Sequence, residues 1–276
     1  MSLRFDAIGY WSEIKLDIIK QYVSVYSTIL SAQKNPTLHH VYIDAFAGAG
    51  KHISKSTGDF VLGSPQIALN TTPPFKEYYF IDIDSAKVAE LVKASAERPE
   101  VHVYEGDSNS ILLNNVFPKV KWEDYRRGLC LLDPYGLHLK WEVIQTAGRM
   151  KSIDMFLNFP VADMNRNVLW RNPEGVDTAD IERMNDYWGD DSWRKIAYRT
   201  DRNLFGLEIK EDNETIASAF AQRLFKLAGF RHVSDPLQMR NSKGATVYYL
   251  FFASQQKVAH DIIEDIFNRY REQGTQ

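Results

Sequence analysis

Three aspartates, Asp44, Asp82 and Asp107, stand at or just past the end of apolar or β-branched runs: VYIDAFAGAG (41–50), EYYFIDID (77–84) and VHVYEGD (101–107). In an open parallel α/β sheet the carboxyl ends of neighbouring strands border one crevice, and ligands bind there. A carboxylate after the second strand can accept hydrogen bonds from both ribose hydroxyls, one after the third from an exocyclic adenine amine, and one beside a glycine turn can orient a cationic amino-acid group. A single such aspartate reads as a turn former or helix cap. Three in register fit an adenosine with a charged tail, and Gly48 and Gly50 let backbone approach that ligand closely.

The glycine spacing excludes two competitors. A dinucleotide fingerprint would need its third glycine at Ile53 and a helix starting at once, whereas the next helix signal is near Ser64. A Walker phosphate loop would need a Gly-Lys-Ser or Gly-Lys-Thr that does not follow.

The elements that must position these acids alternate along the chain. Trp11, Ile14, Ile18, Tyr22, Val25, Tyr26 and Ile29 recur at helical spacing with Glu13, Lys15, Asp17 and Lys20 between them, which predicts a long amphipathic helix over 10–33. After the glycine turn, KHISKSTGDFVL reads as a polar loop. Ser64 then suits a helix cap and Pro65 a first turn. A helix from Ser85 carries Val88, Leu91 and Val92 on one face, and another through Ile111, Leu112 and Val116 stops at Pro118. GLCLLDPYG (128–136) is the continuous apolar run of a doubly covered central strand, and IDMFLNFP (153–160) is a fifth strand. Strands alternating with helices imply a parallel sheet. The segment 161–212 reads as an insertion or cap. After it come a helix on Ile216, Ala219, Phe220, Leu224 and Leu227, an antiparallel strand pair RHVSDPLQM and TVYYLFFAS, and a closing helix.

In their order, DAFAGAG, FIDID, EGDS, LDPYG and NFP resemble the successive motifs of class I S-adenosylmethionine-dependent methyltransferases. The combination YIDAFAGAG, GSP, YYFIDID, LDPYG and LNFP is more closely similar to the three-Cys-motif partner proteins, a bacterial family on that fold. The resemblance runs from Tyr10 to Tyr270 and is weakest over 161–212. It implies one Rossmann-like α/β domain over 1–276, with a mostly parallel seven-stranded sheet, an antiparallel C-terminal strand and a helical insertion. It further implies S-adenosylmethionine as cofactor, with Asp44, Phe46, Gly48 and Gly50 on the methionine part, Asp82 on the ribose, and Asp107 with Ser108 on the adenine. Phe46 departs from the family pattern, which has a glycine there. The F-x-G-x-G form resembles cytosine-C5 methyltransferases, but these need a Pro-Cys nucleophile, and Cys130 lies inside its strand as a core thiol.

Asp133-Pro134-Tyr135 is similar to the D-P-P-Y signature of amino-group methyltransferases, short of one proline. By that resemblance the acid and a backbone carbonyl accept from a target amine and the ring stacks on a planar base. A structural turn is the alternative. Asn158 and Pro160 close the adjacent strand and could border the same pocket. The resemblance to partner proteins also implies a second function: a non-catalytic subunit for a cysteine-motif protein of radical or metal-cluster type.

The totals bound these readings. The 276 residues are 44% apolar and 25% charged with a formal net charge of -3, which argues against a uniformly basic nucleic-acid grip. Any such contact is local, and Arg194, Lys195, Arg199 and Arg202 beside Trp193 form one candidate cluster. The single cysteine excludes internal disulfides and multi-cysteine metal sites. Without a run of about 20 apolar residues or a signal-peptide core, the expected location is the cytoplasm.

Overall fold

In the computed structural model, which describes residues 6–199, 208–241 and 243–273, the acid-terminated runs become neighbouring strands of one large sheet. Its strands, numbered in chain order, are β1 (His39–Asp44), β2 (Glu77–Asp82), β3 (Val101–Glu105), β4 (Arg126–Leu132), β5 (Ile153–Phe159), β6 (His232–Val233), β7 (Leu237–Arg240) and β8 (Thr246–Ser254). They lie in the order β3-β2-β1-β4-β5-β8-β6, and β7 also pairs with β8. Strands β1 to β5 are mutually parallel and β8 runs antiparallel to β5. The order reverses between β1 and β4, so this is the Rossmann-like sheet, with its switch point beside the glycine turn. It is seven strands wide, as expected. An eighth strand arises because β8 is long enough to pair with β6 at Ser254 and Ala253 and with β7 between Leu250 and Thr246.

Side-chain alternation along each strand divides the interior into two layers. Val41 and Ile43 of β1 join a core with Val143, Ile144 and Phe220. Tyr42 points the other way, toward Ile18, Tyr22 and Ile263. The first layer is covered by α5 (Trp141–Met150) and by helices of the 161–223 region. The second is covered by α1 (Tyr10–Ala32) and α10 (Lys257–Gln273). Burial on both faces explains the unbroken apolar run of β4, whose Cys130 is a buried free thiol.

Several local expectations shift. In α1 Ile14, Ile18, Tyr22 and Tyr26 of the stripe are buried and Trp11 and Ile29 half-buried, but Val25 is exposed and Lys15, expected on the polar side, is buried. Helix α2 (Ser64–Leu69) is capped by Gly63, so Ser64 is its first residue and its hydroxyl turns to Asp44 instead. In α3 (Ser85–Ala94) Val88 and Leu91 are buried, whereas Val92 is exposed. The supposed polar loop is a hairpin of Lys51–Ser54 and Phe60–Leu62, with Ala7–Ile8 added in parallel. That pairing is non-local, which is why local composition did not reveal it.

The region read as an insertion folds into α6 (Val161–Asn167), α7 (Thr178–Trp188) and α8 (Trp193–Ala197), followed by paired two-residue strands. Met164, Met184 and Trp188 enter the first core layer. Of the basic cluster, Arg194 pairs with Glu174 and Glu208 and Arg199 with Glu211; Arg202 lies outside the described residues. Among the described residues no helix is long and apolar enough to cross a membrane.

Gly148 of α5 lets that helix sit directly on the turn 224–228, where a Cβ would lie 2.1 Å from the Ala228 carbonyl oxygen. Gln255 then donates to the carbonyls of Gly148 and Gly229. Gly148→Ala is expected to destabilise the fold by about 1–3 kcal/mol, the usual overpacking cost, read as a lower urea midpoint with unchanged slope.

Candidate active site

The chain leaves β1 through a turn in which Gly48 and Gly50 have φ of +64° and +76°. A Cβ on Gly48 would meet nothing within 4 Å. Open space therefore adjoins backbone that only glycine adopts without strain. The turn is fastened to the second strand: the Gly48 N–H donates to Asp82 Oδ2 at 2.7 Å, and the Asp84 N–H donates to Asp82 Oδ1 at 2.9 Å. Asp84 itself caps α3. Phe46 is half-buried against the first core layer.

The acids at the strand ends occupy different environments. Asp44 is fully buried. Burial, opposed by a hydrogen bond from Ser64 and reinforced by the charge of Asp133, pushes its carboxyl up to about 7. Asp107 is exposed and caps α4 (Ser108–Ile111), accepting from the Ser110 N–H at 2.9 Å and hydroxyl at 2.7 Å. Burial raises its pKa, but those bonds and that of Asn109 outweigh it and hold the carboxyl below its ordinary value. The Ser108 hydroxyl donates to the Ala45 carbonyl, joining the β3 end to the β1 turn.

Asp133, just past β4, forms an ion pair with Lys15 through Oδ2. Its Oδ1 accepts from Asn158 Nδ2 at 2.6 Å. Burial disfavours the Lys15 ammonium, yet the Asp133 carboxylate more than offsets this and Lys15 is held above its usual range. The ammonium also lies 5.3 Å from the Tyr248 ring centroid. Tyr135 is 69% exposed. Its hydroxyl donates to Asp6 at 3.3 Å and its ring faces the Lys87 ammonium at 5.6 Å; Lys87 and Asp6 are ion-paired.

These groups border two adjoining cavities. The first, about 410 Å³, is lined by the 6–9 segment, Lys15, Phe46, Gly48, His52, Ser64, Asp133, Pro134, Tyr135, Asn158 and Tyr248. Burial, together with the charge of Lys15, holds the His52 imidazole below its ordinary pKa. The second, about 470 Å³, shares Pro134, Tyr135, Asn158 and Tyr248 and extends past Pro160 to Arg166 and Arg183. Both volumes lie in the range of small-molecule sites.

Of the residues expected to act, Phe46, Gly48, Asp133, Pro134 and Tyr135 line the first cavity. Asp44 lies buried behind Ser64, Gly50 packs near Gln66 and Leu91, Asp82 and Asp107 continue along the open edge over β2 and β3, and Ser108 is buried beneath that edge with its hydroxyl on Ala45. The sequence reading missed Lys15, although it falls four residues after Trp11 and seven before Tyr22, on the buried stripe. It also missed Tyr248 and the Asp6–Lys87 pair, which no local pattern signals.

No protein-family model and no curated protein matches this chain. Among solved structures it is similar to LPL1258 of Legionella pneumophila, 11% identical over 92% of this chain and 91% of that one, with a TM-score of 0.49. It is also similar to the methyltransferase domain of bacterial CtHen1, 9% identical over 86% and 99%, TM-score 0.42. A Listeria monocytogenes protein assigned as an S-adenosylmethionine dependent methyltransferase is 12% identical over 87% and 99%, TM-score 0.43. The strand order carries the fold assignment by itself.

Two outcomes follow from the charges. The raised pKa of Asp44 means its carboxyl favours the folded state at low pH, and that contribution is lost as pH rises from about 3.8 through about 7. Asp44→Asn is therefore expected to gain stability relative to wild type as pH rises from about 4 to about 7, measured by urea unfolding; parallel profiles would remove Asp44 as the titrating group. Lys15→Met is expected to destabilise by about 2–3 kcal/mol, less than a fully buried pair because Asp133 is partly open, with Lys15→Met/Asp133→Asn recovering part of the loss in a double-mutant cycle.

Proposed function

We propose that this chain is an S-adenosylmethionine-dependent methyltransferase acting on an amino group, with nucleic-acid base amines as candidate acceptors. The carrying observation is that the glycine turn and the Asp133-Pro134-Tyr135 turn open on one cavity, walled by Phe46 and Gly48 on one side and Asp133 and Tyr135 on the other.

The residues present fit the cofactor. Open space beside the Gly48 backbone would admit its amino-acid part, and Asp44 behind Ser64 contributes acidic character there. Asp82, held by two backbone N–H groups, keeps lone pairs for ribose hydroxyls. Ile83, 76% exposed beside it, offers an apolar face to a purine, and Asp107 with Ser108 borders the same edge. When bound, the cofactor supplies a methyl group on a cationic sulfur. Asp133 receives the acceptor amine: each carboxylate oxygen has one partner and capacity for another. Lys15 and Asn158 fix its plane, and Tyr135 gives an exposed ring for a planar base. Such positioning supplies most of the rate in a transfer of this kind.

A second reading is a non-catalytic partner subunit, as in three-Cys-motif partner proteins, serving a cysteine-motif protein of radical or metal-cluster type. It is favoured by the internal engagement of the same groups: Lys15 and Asn158 on Asp133, Asp6 on Tyr135.

Calorimetry with S-adenosylmethionine is expected to show one site, weakened about tenfold or more by Asp82→Ala, the effect of losing a charge-assisted hydrogen bond. Asp133→Ala is expected to keep binding and lose transfer of labelled methyl to RNA, DNA or protein pools. Absence of binding by wild type would sink the enzyme reading, and binding without transfer to any pool would favour the partner subunit.

A further inference from the structure

The amino end of the sheet, opposite the glycine turn, carries a second group of charges among apolar walls. Arg127 is the second residue of β4 and Asp154 the second of β5. Asp154 is in register with Leu129, so Arg127, two residues before Leu129, projects from the same face of the sheet as its diagonal neighbour. That face is the one covered by α1 and α10. A cavity of about 290 Å³ lies there, lined by both charged residues and by Ile29 and Leu30 of α1, Trp122, and Val258 of α10.

The two charges do not meet: no ion pair joins them among the described residues, although the guanidinium is near enough to lower the Asp154 pKa. Asp154 Oδ1 accepts from the Ser254 hydroxyl at 2.6 Å, and Ser254 is itself held by the Gln256 N–H at 2.9 Å. Asp154 Oδ2 has no donor among the described residues, yet the side chain is only half-buried and that oxygen is not sealed from solvent. Arg127 spends Nη1 on the carbonyls of Trp122 and Arg126. Its guanidinium lies 3.3 Å from the Trp122 ring centroid, which fixes its plane. Nε and Nη2 have no acceptor among the described residues and stay accessible. Lys151 lines the same cavity and adds a second positive charge.

Charges drawn out of water are costly unless partners reach them. Burial pushes the Asp154 carboxyl up to about 7, against the Ser254 bond and the Arg127 charge, and it also disfavours the Arg127 guanidinium. Held apart in one cavity, the two groups call for a ligand that brings a cation to one and an anion to the other. The volume stands at the lower limit of small-molecule sites, which restricts the ligand to something smaller than a nucleotide. The remaining walls are aliphatic and aromatic. We propose that this cavity binds a free α-amino acid with an apolar side chain, its ammonium on Asp154, its carboxylate on Arg127 and its side chain against Ile29, Leu30 and Val258. The site lies at the opposite edge of the sheet from Asp133, so it does not rest on the methyl-transfer reading.

The test is calorimetry on the full chain at mildly alkaline pH, where Asp154 is ionised. It compares L-leucine with 3-methylbutylamine, which lacks the carboxylate, and with 4-methylpentanoate, which lacks the amine. L-Leucine is expected to bind at least about tenfold tighter than either, the worth of one charge-assisted hydrogen bond. Arg127→Gln is expected to weaken leucine about tenfold and leave 3-methylbutylamine unchanged, and Asp154→Asn to weaken leucine alike and keep 4-methylpentanoate. Urea midpoints establish that each variant is folded, and the wild-type comparison decides without any substitution. An analogue that binds as tightly as leucine, no binding of leucine at about 10 mM, or unchanged leucine affinity in either folded variant would overturn the proposal.

Discussion

The ion pair between Lys15 and Asp133 is the contact on which the site depends. It joins α1, on the outside of the sheet, to the first residue after β4, so an N-terminal helix and the middle of the chain define one cavity. Removing two charges from water is costly, and attraction repays it only when the remaining lone pairs also find partners. Asn158 supplies one such partner from β5. The carboxylate of Asp133 is thereby fixed from two elements at once, and Tyr248 of β8 lies over the ammonium. Geometry of this kind suits a site that works by position.

The carboxyl edge of the sheet divides into two halves with different physics. Over β2 and β3 it is open: Asp82 and Asp107 hold backbone and side-chain donors in local turns, and Ile83 faces solvent. Over β1, β4 and β5 it is enclosed by α1 and the 6–9 segment, so charges there are less screened and Asp44 titrates near neutrality. Polar recognition can proceed at the open half. Charge placement is strongest at the enclosed half, where Lys15, Asp44 and Asp133 interact.

The helices of 161–223 serve both packing and the second cavity. Met164, Met184 and Trp188 complete the core over β4 and β5, and the same α6 and α7 present Arg166 and Arg183. Amphipathic helices allow this, since one face is buried while the other remains available. The glycines enforce the close fits: Gly136 admits Asp163 and Gly148 admits the Ala228 carbonyl, where any Cβ would collide.

By itself the sequence determined the main strands, their parallel sheet and the acids at their ends, because side-chain period and turn chemistry are local: Asp44 and Asp82 close their strands and Asp107 lies two residues past its own. It also placed Cys130 in the core, through the unbroken apolar run of β4. It misassigned Lys15 to the polar side, since one lysine among apolar neighbours is buried only if a distant carboxylate compensates it, and Asp133 lies 118 positions away. The hairpin 51–62 was hidden for a similar reason: its third strand, Ala7–Ile8, comes from the far side of α1. Tertiary structure alone decided which acids face a cavity and which cap helices, because a carboxylate takes whichever donors folding brings within reach. It likewise left Asn158 with an acceptor and no donor, a fact that exists only once β5 has met β4 and α1.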